Sequence, residues 1–392
     1  MAQQSLEVHD IYNIDNRLES AMRRLRTDGR ITEPNRELLL KFIRQFGVGG
    51  GSVYRQVFYA IRMTNIGRLA HKNFDEMDKD DLMELVSRIQ EKRDWTERTK
   101  VDQRACIKRF FKWLRGNDEE IPPEVRWIKT NEPSNKRKLP EDLVSEDDLR
   151  LLLRHARSAR DRAMLWTLWE SGVRIGELLS MRYKDAAFDE YGGVIHVRGK
   201  TGPRRVRIVS SIPALSAYLE SHPTKNGDDA LWLTDYGRPM SYSTFKTLLR
   251  RIKERSGYRK RLHPHLFRHT AATRLATELT EQQMKAYLGW TGASKMAAIY
   301  VHLSGAQMDE AILRIHGLVP KKEETNGHLR PKECGVCGTS NTMDRNWCVR
   351  CRHPISEKAK AQTMESNKGF VISEELVTAL MDRMEERMRE RI

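Results

Sequence analysis

Seven side chains between residues 174 and 300 carry the chemistry that the sequence offers. They stand in four short segments: S-G-V-R-I-G-E-L-L at 171–179, V-R-G-K-T-G at 197–202, H-P-H-L-F-R-H-T-A-A-T at 263–273, and L-G-W at 288–290 followed by I-Y-V-H at 299–302. Arg174 stands at a turn into a helix, where its guanidinium fork can clamp a phosphate through two parallel hydrogen bonds. Glu177, three residues on, shares that helical face and can hold the arginine in place. Lys200, on a hairpin tip, is a mobile cation able to reach a groove and donate a proton. His265 and Arg268 are three apart on one helical turn, so both can address a single phosphate. Trp290 offers one N–H donor. Tyr300 offers a hydroxyl nucleophile that needs cations around it for activation and orientation.

These parts suit phosphoryl transfer to a tyrosine. No spaced Asp/Glu cluster resembles a two-metal nuclease site, so the expected reaction is metal-free transesterification. Phosphodiester cleavage demands well over ~15 kcal/mol of stabilisation. Cations preorganised around one phosphorane supply the dominant electrostatic share. Tyr287, on a helix face just ahead of Leu288, reads as core and not as a rival nucleophile. His269 and His302 read as local structural or helper groups, His196 and His263 as strand or surface residues.

A second constellation is built from cysteine. Four of the five cysteines, Cys334, Cys337, Cys348 and Cys351, form a C-x2-C-x10-C-x2-C pattern with Gly335 and Gly338 at its first knuckle. Two C-x-x-C pairs let four thiolates converge on one Zn²⁺, whose binding folds a segment too short for a core. The alternatives are two disulfides or a redox pair, and neither a secretory signal nor a βαβ context supports them. Four thiolates leave no open position, so the metal is expected to be structural. His353 reads as a bystander and Cys106 as a core residue.

The chain has 392 residues, 39% of them hydrophobic and 32% charged, which is too apolar for a disordered chain. Lys and Arg number 70 against 54 Asp and Glu, a formal charge of +16 that points to a polyanion such as nucleic acid. No apolar run approaches the length of a membrane span, and residues 1–10 hold no signal-peptide core, so the expected location is cytoplasmic and nucleoid-associated.

Helical periodicity marks residues 11–25, 37–46, 53–70, 79–90 and 96–114. The glycine-rich stretch 46–52 reads as a turn, since it lacks the strand and the Gly-Lys-Ser/Thr ending of a phosphate loop. From 116 to 140 the pattern lapses into Pro, Asn and charge, including Lys136-Arg137-Lys138. Ser145 and Asp148 then open a new domain with a capping box. Helices are expected over 149–155, 160–170, 175–182, 244–254, 267–277 and 281–288. Strands are expected over 194–197 and 205–209, as a hairpin, and over 230–234. Ser373 caps a last helix, on which Leu376, Leu380, Met384 and Met388 form a stripe.

At the residues quoted above the sequence resembles the tyrosine recombinase (phage integrase) superfamily. The match runs roughly from 145 to 317, and more weakly over the helical N-terminal part, which looks like a core-binding domain. Arg174 falls on the family's first catalytic arginine, Lys200 on its β-hairpin lysine, His265 and Arg268 on its H-x-x-R motif, Tyr300 on its nucleophile and Glu177 on its acidic support. Trp290 falls where most members have His and some have Trp, which drops a proton carrier and keeps a donor. Each motif alone is weak; all of them in order form a specific combination.

Together these readings give a mainly α fold with a small antiparallel β-sheet. A helical core-binding domain spans 1–120, a basic linker 121–142, a mixed α+β catalytic domain 143–318, a four-cysteine zinc ribbon 330–356 and a terminal helix 372–391. The resemblance implies a site-specific recombinase or integrase whose two domains clamp duplex DNA within a homo-tetrameric synapse. It implies attack by Tyr300 to give a 3′-phosphotyrosine link and a free 5′-hydroxyl, with no ATP and no metal in the chemical step. The rivals are a type IB topoisomerase-like nicking-closing enzyme and a non-catalytic DNA-binding regulator on the same fold. The ribbon and terminal helix are expected to bind DNA arms or a neighbouring protomer.

Overall fold

A computed structural model describes residues 10–116, 120–131, 142–300, 313, 331–343, 345–360 and 362. His302, the basic Lys136-Arg137-Lys138 run and the expected helix at 372–391 lie outside the described residues. The chain divides into two compact units, Met1–Lys138 and Leu139–Ile392. No helix among the described residues is long and apolar enough to cross a membrane.

Among its described residues the first unit is helical: α1 (Ile14–Thr27), α2 (Glu33–Val48), α3 (Val53–Leu69), α4 (Lys79–Gln90), α5 (Glu97–Leu114) and α6 (Pro123–Arg126). Local signals set the starts. Pro34 stands in the first turn of α2, Asp78 and Asp81 cap α4 reciprocally, and the Thr96 hydroxyl accepts from the Thr99 N–H at the head of α5. The apolar stripes meet in one core that includes Leu25, Leu39, Phe42, Ile66, Leu85 and Phe110. Cys106 belongs to that core, and burial pushes its thiol up to about 12. The reading of 121–142 as linker needs correction over its first part. Residues 123–126 are helical, and Val125 and Ile128 are sealed in the core, so apolar anchors at this spacing outweigh the Pro and charge around them.

The second unit holds α7 (Glu146–Arg154), α8 (Ala159–Ser171), α9 (Ile175–Leu179), β1 (Ala186–Asp189), β2 (Gly192–Gly199), β3 (Gly202–Ile208), α10 (Ile212–Glu220), α11 (Tyr242–Ser256), α12 (Pro264–Leu275) and α13 (Glu281–Leu288). At its centre α8 is apolar nearly all round, with Met164, Leu165, Trp166, Leu168 and Trp169 buried, because α10 and α12 cover it. The sheet is an antiparallel meander in the order β1-β2-β3, and Gly199 pairs with Gly202 across a two-residue tip, Lys200-Thr201. Ile195 and Val197 face inward on β2, while His196 and Arg198 are exposed.

Three elements differ from expectation. Residues 230–234 form no strand; they make single bridges, Arg182 to Ala230 and Leu233 to Pro239, because the chain turns back on itself at Gly237. The edge strand β1 has a mostly exposed face and so carried no alternation to detect. Helix α10 opens on Ile212-Pro213 after two serines, a run that resembles a loop until proline is seen to sit in a first turn.

Candidate active site

Arg174, His265, Trp290 and Tyr300 stand beside the start or end of a helix, and Arg268 one turn into α12. Helix α8 stops at Gly172, whose φ is +61°; a Cβ there would lie 2.6 Å from Ala271 Cβ, so only glycine fits this tight passage beside α12. Two residues later Arg174 caps α9. Its Nη1 donates to Glu177 Oε1 at 2.8 Å, and its backbone N–H donates to Glu177 Oε2 at 2.8 Å.

Glu177 is the buried keystone of a charge cluster. It also accepts from Arg204, through Nη1 to Oε1 at 2.8 Å and Nη2 to Oε2 at 2.7 Å. Burial alone would raise its carboxyl, but the Arg204 hydrogen bonds and charge, with those of Arg174, hold it down at about 2. Arg204 is a functional residue that the motif reading did not single out. Its signal was the period of two on β3, which puts it on the inward face shared by Val206 and Ile208.

The arginines converge on the end of one helix. The last carbonyls of an α-helix have no partner within it, and the macrodipole makes that end negative. At α13 the Gly289 turn, with φ +64°, satisfies Ala286 O and Lys285 O through the N–H groups of Gly289 and Trp290. The next three carbonyls in sequence each take one arginine. Arg204 Nε donates to Tyr287 O at 2.9 Å, Arg268 Nη2 to Leu288 O at 2.6 Å and Arg174 Nη2 to Gly289 O at 3.0 Å. Arg268 is 7% exposed and its Nη1 donates to Gly172 O at 2.9 Å. Burial and the neighbouring charge of Arg174 bring it down to about 10, which leaves it cationic at neutral pH.

Arg174, His265, Arg268, Trp290 and Tyr300 line one cavity of about 620 Å³, together with Thr201, His269 and Met296 among others. The Trp290 ring stacks on the Tyr300 ring at 5.8 Å and 9°, and the Arg268 guanidinium lies 5.4 Å from the indole centroid. The contacts of Trp290 in the structure are thus made by its ring face, besides the N–H donor that the sequence suggests. Tyr300 follows a turn of 3₁₀ helix, Ala297–Ile299, and its hydroxyl hydrogen-bonds His269 Nδ1. Burial raises its phenol above the ordinary range while Arg268 pulls it down. His265 lines the same cavity and is exposed.

Lys200 stands apart from this group, exposed on the hairpin tip and not among the lining residues. Its neighbour Thr201 does line the cavity, and the Thr201 hydroxyl donates to Gly289 O at 3.2 Å. Tyr287 faces away into the protein: it is largely buried and its hydroxyl donates to Arg207 O at 2.8 Å.

Among the described residues the four cysteines form the group that gathers metal-ligating atoms, all four Sγ lying within 4.8 Å of one another. The strands β4 (Lys332–Glu333) and β5 (Ser340–Asn341) pair behind the first knuckle. Cys334 Sγ is 3.5 Å from Cys351 Sγ and Cys337 Sγ 3.6 Å from Cys348 Sγ, so neither pair is bonded. A tetrahedron with metal–sulfur bonds near 2.3 Å has sulfur–sulfur edges of about 3.8 Å, which these spacings match. The four thiols interact with one another: the backbone N–H of Cys351 draws Cys348 down to about 6, while Cys351, despite the backbone N–H of His353, is pushed up to about 12 by hydrogen bonds with the other sulfurs.

Residues 143–307 match the phage integrase family, so this stretch of the chain is similar to that family. The chain is 32% identical over 166 residues to tyrosine recombinase XerC of Oceanobacillus iheyensis, an alignment that takes in 40% of this chain and 53% of that protein. It is 26% identical over 272 residues to XerC of a Roseiflexus species, covering 65% of this chain and 83% of the relative. The first of these relatives is therefore spanned over about half its length. Among solved structures, the XerH recombinase in a post-cleavage complex with palindromic difH covers 78% of this chain and 98% of its own, with a TM-score of 0.54 at 20% identity. The Tn1549 transposon integrase, bound to a circular-intermediate DNA, covers 71% and 98%, with a TM-score of 0.57 at 17% identity. At those identities the likeness is one of fold.

Proposed function

We propose that this protein is a site-specific DNA recombinase that cuts and rejoins duplex DNA through a 3′-phosphotyrosine intermediate. The observation that carries the reading is the convergence of Arg174, Arg268, His265 and Tyr300 on one cavity. Two pre-positioned guanidiniums hold the non-bridging oxygens of a scissile phosphate, and His265 contacts the same group. Tyr300 attacks phosphorus, and Lys200, carried in by the hairpin tip, gives its proton to the leaving 5′ oxygen. The covalent link keeps the phosphodiester energy, so religation to a second strand needs no ATP. Duplex DNA as partner is supported by the net charge of +16 and by the DNA carried in the solved relatives. Strand exchange calls for a homo-tetrameric synapse, and the reading places the enzyme with the nucleoid. The test is a nicked duplex carrying the preferred site, recovered from random duplexes by binding selection and incubated with the protein in EDTA. Wild-type protein should form an adduct stable on a denaturing gel, and Tyr300→Phe should bind the same DNA and form none. Binding without an adduct in the wild type points to a regulator. An adduct without exchange between two marked sites points to a nicking-closing enzyme.

The four cysteines are further proposed to hold one structural Zn²⁺ that ties residues 330–356 into a ribbon. When bound, the metal supplies cross-linking energy to a segment with little core of its own. Purified protein should contain one zinc per chain, lost in a Cys334→Ser, Cys337→Ser double variant. Metal-free protein in which all four thiols are oxidised would rule this out.

A further inference from the structure

Resting on the recombinase reading, we infer that His269, and not His265, is the base that takes the proton from Tyr300. His269 follows Arg268 directly on α12, one residue past the H-x-x-R motif, and its ring lies half-buried beside the cavity. The hydroxyl of Tyr300 hydrogen-bonds its Nδ1, with ring centroids 5.9 Å apart and planes inclined by 43°. On the opposite side Trp290 stacks on Tyr300. The nucleophile is therefore held between a stacking surface and a nitrogen acceptor before any DNA arrives. A neutral imidazole protonated at Nε2 presents a lone pair at Nδ1, which is the atom the phenol addresses. The exposed His265 is left to the phosphate.

The proton balance is complete. As the bond from Tyr300 Oη to phosphorus forms, the Tyr300 proton passes to His269 Nδ1. As the bond from phosphorus to the 5′ oxygen breaks, that oxygen takes a proton from Lys200. Religation reverses both transfers, so His269 returns its proton to Tyr300 and the enzyme is regenerated. Among the described residues, the charged and titratable groups that line the cavity with this pair are Arg268 and His265 on α12 and Arg174 at the start of α9.

The experiment is single-turnover cleavage of the nicked, binding-selected duplex by full-length wild type, His269→Ala and His269→Asn. A positioned base contributes about 100-fold or more. His269→Ala should therefore form adduct about 100-fold more slowly at unchanged DNA affinity, and added imidazole should restore part of the rate. His269→Asn, which presents an amide oxygen near the Nδ1 position without basicity, should stay slow and should not respond to imidazole. Cleavage by His269→Ala within threefold of wild type overturns the inference, as does full rescue by Asn, which would make His269 a positioning residue only. Failure of the wild type to form any adduct overturns the recombinase reading beneath it, and is told apart because it appears before any variant is compared.

Discussion

Glu177→Ala should destabilise the catalytic unit by about 3–5 kcal/mol, because removing one partner of a buried ion cluster leaves the others uncompensated. Arg174 and Arg204 would then face Arg268 with no anion between them. For a unit of this size the loss corresponds to a fall of roughly 10 °C in the unfolding midpoint. Adduct formation should drop as well, since Arg174 loses the contact that aims it. Pairing the change with Arg204→Met should recover stability without recovering cleavage, a non-additive result that a double-mutant cycle reads directly. The same carboxylate gives an acid limb. Its folded value of about 2 lies below the ordinary 4.5, so its stabilisation is complete above pH 4.5 and fades as pH falls toward 2. That limb is worth about 3 kcal/mol and should be missing in Glu177→Gln. A Glu177→Ala protein that melts within a degree or two of wild type would show that the cluster is not what fixes these arginines.

Arg268→Lys, often treated as conservative, should slow adduct formation by about 10²–10³-fold, the usual loss for one preorganised donor at a developing oxyanion. The geometry explains the size. Arg268 spans from Gly172 O to Leu288 O with two different nitrogens, at 2.9 and 2.6 Å, while presenting its charge beneath the indole of Trp290. An ammonium carries its three donors on one nitrogen and lacks the planar fork whose separate nitrogens reach carbonyls on two elements, so it holds both and a phosphate poorly. Whichever carbonyl it abandons is left buried without a donor. The measurement is the single-turnover rate at saturating protein, with DNA affinity followed separately. A loss confined to affinity would mean that Arg268 holds the phosphate no more strongly in the transition state than in the ground state.

The helices of the first unit were legible because their apolar residues recur at helical spacing and meet in one core. The hairpin was legible because β2 alternates between Ile195 and Val197, which face in, and His196 and Arg198, which face out. The motif residues announce themselves by type, and five of them share a cavity. What the sequence concealed depended on three-dimensional pairing. Arg204 lies in a run of arginines on β3, where the period of two sets it on the inward face with Val206 and Ile208 but does not say which carboxylate it meets. Only the packing of α9 against the sheet brings Glu177 to it. The part played by His269 was hidden for a related reason. Its partner Tyr300 lies beyond α13, and the distance between them is set by a turn at Gly289 and a short 3₁₀ segment that carry no strong pattern of their own. The short strand expected at 230–234 failed because an apolar run says that residues are buried, not that they have a neighbour to pair with.

The three carbonyls of Tyr287, Leu288 and Gly289 are main-chain atoms, and no side-chain replacement deletes them. A survey that truncates residues one at a time therefore sees three separate arginines and misses the bracket from which all three hang. Inserting or removing one residue ahead of Gly289 rotates that bracket by about 100° about the helix axis, carrying every acceptor away from its guanidinium at once. What this stretch has to preserve is its count more than its spelling.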